Sequence, residues 1–190
     1  MNVIETALEG VKIIEPRIFG DNRGYFFESW NEKAFTEAGI NCRWVQDNES
    51  KSRFGVLRGL HFQAAPYTQA KLVRVIEGAV LDVALDIRRG SPTFGQHVAV
   101  ELSSENKRQL FVPRGFAHGF VVLSESVLFA YKCDNAYMPS HERGIAFDDP
   151  ALGIDWKVNL SEYILSPKDT RNPRFADAEC FDYNTKEYLQ

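Results

Sequence analysis

Tyr131, His118 and Lys71 each interrupt an apolar run at the strand period of two, the spacing that turns a side chain toward a core. Tyr131 shares its face with Val127, Phe129 and Cys133, His118 with Phe116, Phe120 and Val122, and Lys71 with Val73 and Val75. A single inward His or Tyr is ordinarily a hydrogen-bonded core residue. A Lys is different, because it is almost never buried without a partner. The three together point to a polar cavity whose groups suit proton transfer and the holding of charge. Arg58-Gly59-Leu60-His61-Phe62-Gln63 is the densest polar and aromatic cluster in the chain. Strict alternation sends Arg58 and His61 to opposite faces, so both serve one site only if Gly59 marks a bulge or strand end. Otherwise Arg58 is a solvated edge residue and His61 caps a turn.

Motifs that are missing narrow the reaction class. The sequence has no GxxxxGK[ST], no GxGxxG between a strand and a helix, and no GxSxG, so the usual apparatus of nucleotide hydrolysis, nicotinamide redox chemistry and serine hydrolysis is lacking. Pro113-Arg114-Gly115-Phe116-Ala117-His118 fits PxGxxH, which resembles the second segment of cupins, small β-barrels of jelly-roll type. Metal-binding cupins also carry HxH followed by Glu, whereas here the corresponding stretch is His61-Phe62-Gln63. No metal is therefore expected. His97 and His141 read as surface residues on an outer strand and in a polar loop.

The elements that must position these groups are mostly strands. From Val11 to about Cys133, short alternating or apolar runs are separated by turn residues, the signature of an all-β sandwich or barrel. Lys71 to Ile76 and Ala79 to Ile87 flank Glu77-Gly78 and predict a tight hairpin, with Leu81, Val83, Leu85 and Ile87 on one face of a half-buried strand and Asp82, Ala84 and Asp86 on the other. Gln96 to Leu102, Gln109 to Pro113, Gly119 to Leu123 and Val127 to Cys133 continue the pattern. A short surface helix runs through Ala34 and Phe35 to about Gly39, capped by a Ser29 to Glu32 capping box or by Asn31. Beyond Asp148-Asp149-Pro150 the pattern weakens into a tail of irregular structure, draped over the barrel or a neighbouring subunit. With no repeat or linker, residues 1–190 are expected to form a single domain.

Composition bounds the partners. The 190 residues carry 22 Lys plus Arg against 26 Asp plus Glu, a net charge of −4, and are 44% hydrophobic. An ordinary globular core is expected and a nucleic-acid partner is not. Three widely spaced cysteines, Cys42, Cys133 and Cys180, read as reduced thiols. Met1-Asn-Val-Ile-Glu has neither the positive region nor the apolar stretch of a signal peptide, and no run approaches the roughly 18 apolar residues of a span. A cytoplasmic protein without membrane association is expected.

Several of these pieces recur in one order. Asp21 to Ser29, Gln46-Asp47-Asn48, Arg58 to Gln63, Gln69 to Val75, Gly78 to Val83, Pro113 to His118, Tyr131-Lys132-Cys133, Asp148-Asp149-Pro150 and Ser166-Pro167-Lys168-Asp169 together closely resemble the dTDP-4-dehydrorhamnose 3,5-epimerase family across almost the whole chain. The resemblance implies an all-β, cupin-like jelly-roll β-barrel with a few short peripheral helices. It also implies a homodimer without metal or redox cofactor, acting on a dTDP-linked 4-keto-6-deoxyhexose in dTDP-L-rhamnose biosynthesis. By the same resemblance His61 is the base, Tyr131 the acid, Asp169 the group that orients and charges His61, and Lys71 the neighbour of the 4-keto oxygen. Arg23, Phe26, Glu28, Gln46, Asn48, Arg58, His118, Glu142 and Lys168 match substrate-binding positions, and Tyr137 matches the ring that stacks on thymine. Arg23, Phe26 and Glu28 are expected to reach the partner subunit's site, and Asp82 to have a supporting role.

Elementary chemistry fits this assignment. A hydrogen α to a ketone is a weak acid, so its removal near neutral pH needs a positioned base and a donor for the enolate oxygen. Inversion needs a proton from the opposite face, and a phenol with a reference pKa of about 10 is normally able to give one. The tail after Lys168-Asp169 departs from the family pattern, which leaves a single-centre epimerase or related ketoisomerase as the nearest alternative. A metal-dependent cupin oxygenase and a noncatalytic sugar-nucleotide sensor are the rivals of other classes.

Overall fold

The structure, a computed structural model, describes residues 1–189. Strands β1 (Asn2–Glu5) and β2 (Lys12–Glu15) form a first hairpin, β3 (Phe19–Asp21) and β4 (Gly24–Phe26) a second, and helix α1 spans Glu32–Glu37. There follow β5 (Gln46–Arg53), β6 (Leu57–Gln63), β7 (Lys71–Glu77), β8 (Ala79–Asp86), β9 (Arg88–Arg89), β10 (His97–Ser103), β11 (Gln109–Val112), β12 (Phe116–Val122), β13 (Ser126–Cys133), β14 (Glu142–Gly144) and β15 (Phe181–Asp182). A six-stranded sheet runs in the order β1-β2-β11-β7-β13-β5 and faces a five-stranded sheet in the order β10-β8-β12-β6-β14. The expected barrel thus takes the form of a jelly-roll sandwich.

Its layers follow from alternation. Val73, Val75, Leu110, Val112, Val127 and Phe129 from the first sheet meet Val80, Ala84, Val100, Leu102, Phe116, Phe120 and Val122 from the second. Truncating one such ring, Phe129 for instance, would cost about 3 to 5 kcal/mol. The other face of the second sheet, with Leu57, Leu60, Phe62, Leu81, Val83 and Leu85, is covered by Ile145, Phe147, Leu152, Trp156, Phe181 and Tyr188. The irregular tail, mainly loops and 3-10 turns, therefore lies on its own sandwich as a third layer. Helix α1 caps the other side, burying Phe35 beside Ile14, Ile40, Leu72 and Phe111.

Three expectations need correction. β7 and β8 are not a hairpin: β7 pairs with β11 and β13, β8 with β10 and β12, and the chain changes sheet at Gly78. Gly78 has φ +83°, and any side chain there would collide with the Ser126 carbonyl. Nor is β8 half-buried: the tail covers its Leu81, Val83 and Leu85 face, the opposite face turns Ala84 into the sandwich, and Asp82 and Asp86 are both fully buried. The helix takes the second of its two expected caps, Asn31, whose side chain accepts from Ala34 N–H. Lastly, His97 and His141 are half-buried; His97 sits on edge strand β10, and His141 packs on the Tyr67 ring.

Candidate active site

On β6 the chain must turn two non-alternating side chains to one side. β12 and β6 are in register at His118↔His61 and again at Phe120↔Arg58, so two steps along β12 answer three along β6. The extra residue falls at Gly59-Leu60, the bulge on which a shared site for Arg58 and His61 depends. Gly59 has φ +126°, and a Cβ there would stand 2.5 Å from Gly119 Cα and 2.8 Å from the His118 carbonyl oxygen. Glycine is therefore demanded twice over, by conformation and by space. Arg58 and His61 then open into the same cavity.

That cavity, of about 520 Å³, is lined by Arg58 and His61 from β6, Lys71 from β7, His118 and Phe120 from β12, and Phe129 and Tyr131 from β13. Tyr137, Glu142, Lys168 and Asp169 close it from the loops, with Ser50, Ile164, Leu165 and Ser166 on its wall. Its volume suits a small ligand. An adjoining recess adds Gln46, Asn48 and Cys133 to His61, Lys71, Tyr131 and Tyr137.

His61 Nε2 donates to Asp169 Oδ1 at 2.5 Å. Burial pushes the Asp169 carboxyl toward neutrality, but donors from His61 and Ser166 overcome this and hold it below the usual carboxylate range. With the carboxylate ionised, the shared proton belongs to Nε2 and the lone pair of His61 lies on Nδ1. Burial lowers the Lys71 ammonium, against the pull of Cys133, Asp82 and Glu142. Burial likewise raises the Tyr131 phenol, which keeps it protonated and able to donate.

Deeper in the sandwich His118 Nε2 donates to Asp82, 2.9 and 3.0 Å from its two oxygens. At the mouth, Tyr137 OH donates to Glu142 Oε2 at 2.7 Å, and Glu142 pairs with Lys168. The Tyr137 backbone N–H reaches Gln46 Oε1 at 3.0 Å, while Gln46 Nε2 donates to Asn48 Oδ1 at 2.8 Å. Gln63 is buried and ties the same loop down: it donates to the Tyr67 and Ala136 carbonyls and accepts from Met138 N–H. The position where a metal-binding cupin would carry a second His is thus an amide with its hydrogen bonds spent on the loop of Tyr137. Among the described residues no group of three or more His, Cys, Asp and Glu is placed to hold a metal ion.

Arg23, Phe26 and Glu28 stand apart from this assembly. Arg23 pairs with Asp21, Glu28 accepts from Asn31, and Phe26 is 65% exposed on the β3–β4 hairpin. Two polar residues on the cavity wall, Ser50 and Ser166, were not singled out as site residues from the sequence. Ser166 carried one signal, its spacing of three residues before Asp169, the spacing of a side-chain-capped turn.

Sandwich and cavity together define a jelly-roll isomerase. The chain belongs to the dTDP-4-dehydrorhamnose 3,5-epimerase family, whose model matches residues 5–177. It is 54% identical over 182 residues to the dTDP-4-dehydrorhamnose 3,5-epimerase of Shigella flexneri, covering 95% of this chain and 99% of that one. It is also similar to a dTDP-6-deoxy-D-glucose-3,5-epimerase from Legionella pneumophila Philadelphia 1, solved in complex with dTDP-4-keto-L-rhamnose, at 52% identity and TM-score 0.92 over 96% of this chain and 98% of that one. A 3′-monoepimerase from Streptomyces bikiniensis, in complex with dTDP-quinovose, shares the fold at 31% identity and TM-score 0.89, over 97% and 98% of the two chains.

Proposed function

We propose that this chain inverts C3 and C5 of dTDP-4-dehydro-6-deoxy-D-glucose to give dTDP-4-dehydro-L-rhamnose. The observation that carries the reading is the His61–Asp169 pair in one cavity with Lys71 and Tyr131. His61 Nδ1 takes the proton α to the 4-keto group, and the C–H electron pair becomes an enolate. The Lys71 ammonium holds the enolate oxygen, and Asp169 stabilises the imidazolium that forms. Tyr131 then returns a proton to the opposite face. No electron leaves the sugar, so the cycle needs no redox partner. Repeated at the second carbon, it inverts both centres.

Arg58 binds the diphosphate in this reading, Tyr137 stacks on thymine, and His118, Gln46, Asn48, Glu142 and Lys168 line the nucleotide-sugar path. The enzyme works as a cytoplasmic homodimer of single-domain subunits. The exposed apolar hairpin of Phe19, Tyr25 and Phe26 carries Arg23, Phe26 and Glu28 toward the partner's cavity. The test is incubation with the 4-keto sugar nucleotide in heavy water, followed by NMR. Wild type should take up deuterium at C3 and C5 with inversion, and His61→Ala at neither. Exchange at wild-type rates in His61→Ala would remove His61 from the mechanism.

A further inference from the structure

We propose that Ser166 is a positioning residue for the base: its hydroxyl fixes the plane of the Asp169 carboxylate and so aims His61 into the cavity. The proposal rests on the reading of His61 as the base. Asp169 is 4% exposed and opens the 3-10 turn Asp169–Arg171. Its two oxygens are divided between donors. Oδ1 faces His61 Nε2 at 2.5 Å, and Oδ2 accepts from the Ser166 hydroxyl at 2.7 Å. Ser166 Oγ in turn accepts the backbone N–H of Asp169 at 3.2 Å, which closes a small ring that holds serine and carboxylate in register. The Gly59 N–H, from the β6 bulge, also points at this carboxylate.

A carboxylate bonded through one oxygen keeps rotational freedom about its terminal torsion, which is broad and roughly two-fold. A donor on each oxygen removes that freedom. The imidazole is then held with Nε2 on Asp169 and Nδ1 free for the α proton. During abstraction the C–H pair goes to the enolate and the proton to Nδ1. Nε2 keeps its own proton, and Asp169 stays ionised throughout, assisted by the Ser166 donor.

Ser166 is itself exposed on the cavity lip, so its replacement disturbs orientation rather than a core. The other polar groups on the cavity around His61 are unchanged in such a variant: Arg58 on the same strand, Lys71 on β7, His118 on β12, Tyr131 on β13, Glu142 on β14, and Tyr137 and Lys168 in the loops.

The full-length Ser166→Ala and Ser166→Thr enzymes should be assayed with the 4-keto sugar nucleotide from about pH 5 to about pH 9, alongside wild type and His61→Ala. Ser166→Ala should lower kcat about tenfold with KM within about twofold of wild type. Ser166→Thr keeps the hydroxyl and should stay within about twofold of wild type. A Ser166→Ala enzyme with unchanged kcat overturns the proposal, as does a loss carried by KM or one that Ser166→Thr fails to rescue. Exchange that survives His61→Ala overturns the base assignment itself, an outcome read from a different variant.

Discussion

Lys71, His118 and Tyr131 were legible as inward polar groups because each sits on a strand whose apolar neighbours declare its face, whereas His61 depended on a bulge at Gly59. Asp169, Glu142 and Lys168 lie where no periodicity exists, in turns and on a three-residue strand, and only the family resemblance reached them. Their roles separate by substitution. In Tyr131→Phe the proposed base His61 and the proposed donor Lys71 remain, so deuterium should enter from heavy water while inversion at C3 and C5 falls by about a hundredfold or more. NMR of the partly reacted sugar gives that ratio for each carbon, and equal rates of exchange and inversion would rule Tyr131 out as the acid. The thiols give a second expectation. Burial pushes both Cys42 and Cys133 up to about 11, so near pH 7.5 each holds well under a hundredth of its population as thiolate. A disulfide reagent should label them far more slowly in the native protein than in guanidinium, and rapid native labelling of two thiols would contradict their burial.

At the scale of elements, β5 shows why alternation fails. Its sequence, Gln-Asp-Asn-Glu-Ser-Lys-Ser-Arg, has no apolar residue, yet it pairs with β13 from Gln46↔Cys133 to Arg53↔Ser126. The strand's inward face is polar because it walls a cavity, so a pattern built on water against hydrocarbon cannot find it. The β7–β8 corner misled for a related reason. Glu77-Gly78 bears the signature of a two-residue turn, and the same backbone freedom serves a change of sheet. Gly59, by contrast, was legible as a bulge because two functional side chains demanded it. Gly59→Ala should destabilise the fold by about 3 kcal/mol or more and abolish exchange, given the Gly119 backbone 2.5 Å from the new Cβ. Asn31→Ala removes the α1 cap and should cost only about 1 kcal/mol with turnover intact. Thermal melts and turnover of both variants check the contrast, and a Gly59→Ala enzyme that melts like wild type would deny the close approach of β6 and β12.

At the scale of the molecule, acid should undo the fold through particular carboxylates. Buried Asp86 is drawn up by desolvation, but donors from Arg88, Thr93 and Ser91 outweigh it and hold the group below its ordinary value, and Asp169 behaves likewise. Groups more acidic folded than unfolded contribute stability above the unfolded pKa and lose it as pH falls through the folded one. The melting temperature should therefore be nearly flat from about pH 7 to 5 and drop below about pH 4. A melting temperature that holds steady down to pH 3 would contradict this. The exposed hairpin makes a separate expectation: Phe26→Asp, on a side chain 65% exposed, should yield a folded monomer with at least about tenfold lower turnover. Sedimentation velocity checks this, and a stable active dimer would assign the hairpin no role in assembly. The third layer has one more consequence, for the time course of synthesis. His61 and Asp169 are 108 residues apart, so at typical elongation rates the ribosome needs about 5 to 20 s between them. Near the end of that interval a nascent chain can possess both sheets, Lys71 and Tyr131, and still lack the carboxylate proposed to serve His61. On the proposed mechanism full activity arrives with the tail, and an incompletely translated copy lacks it.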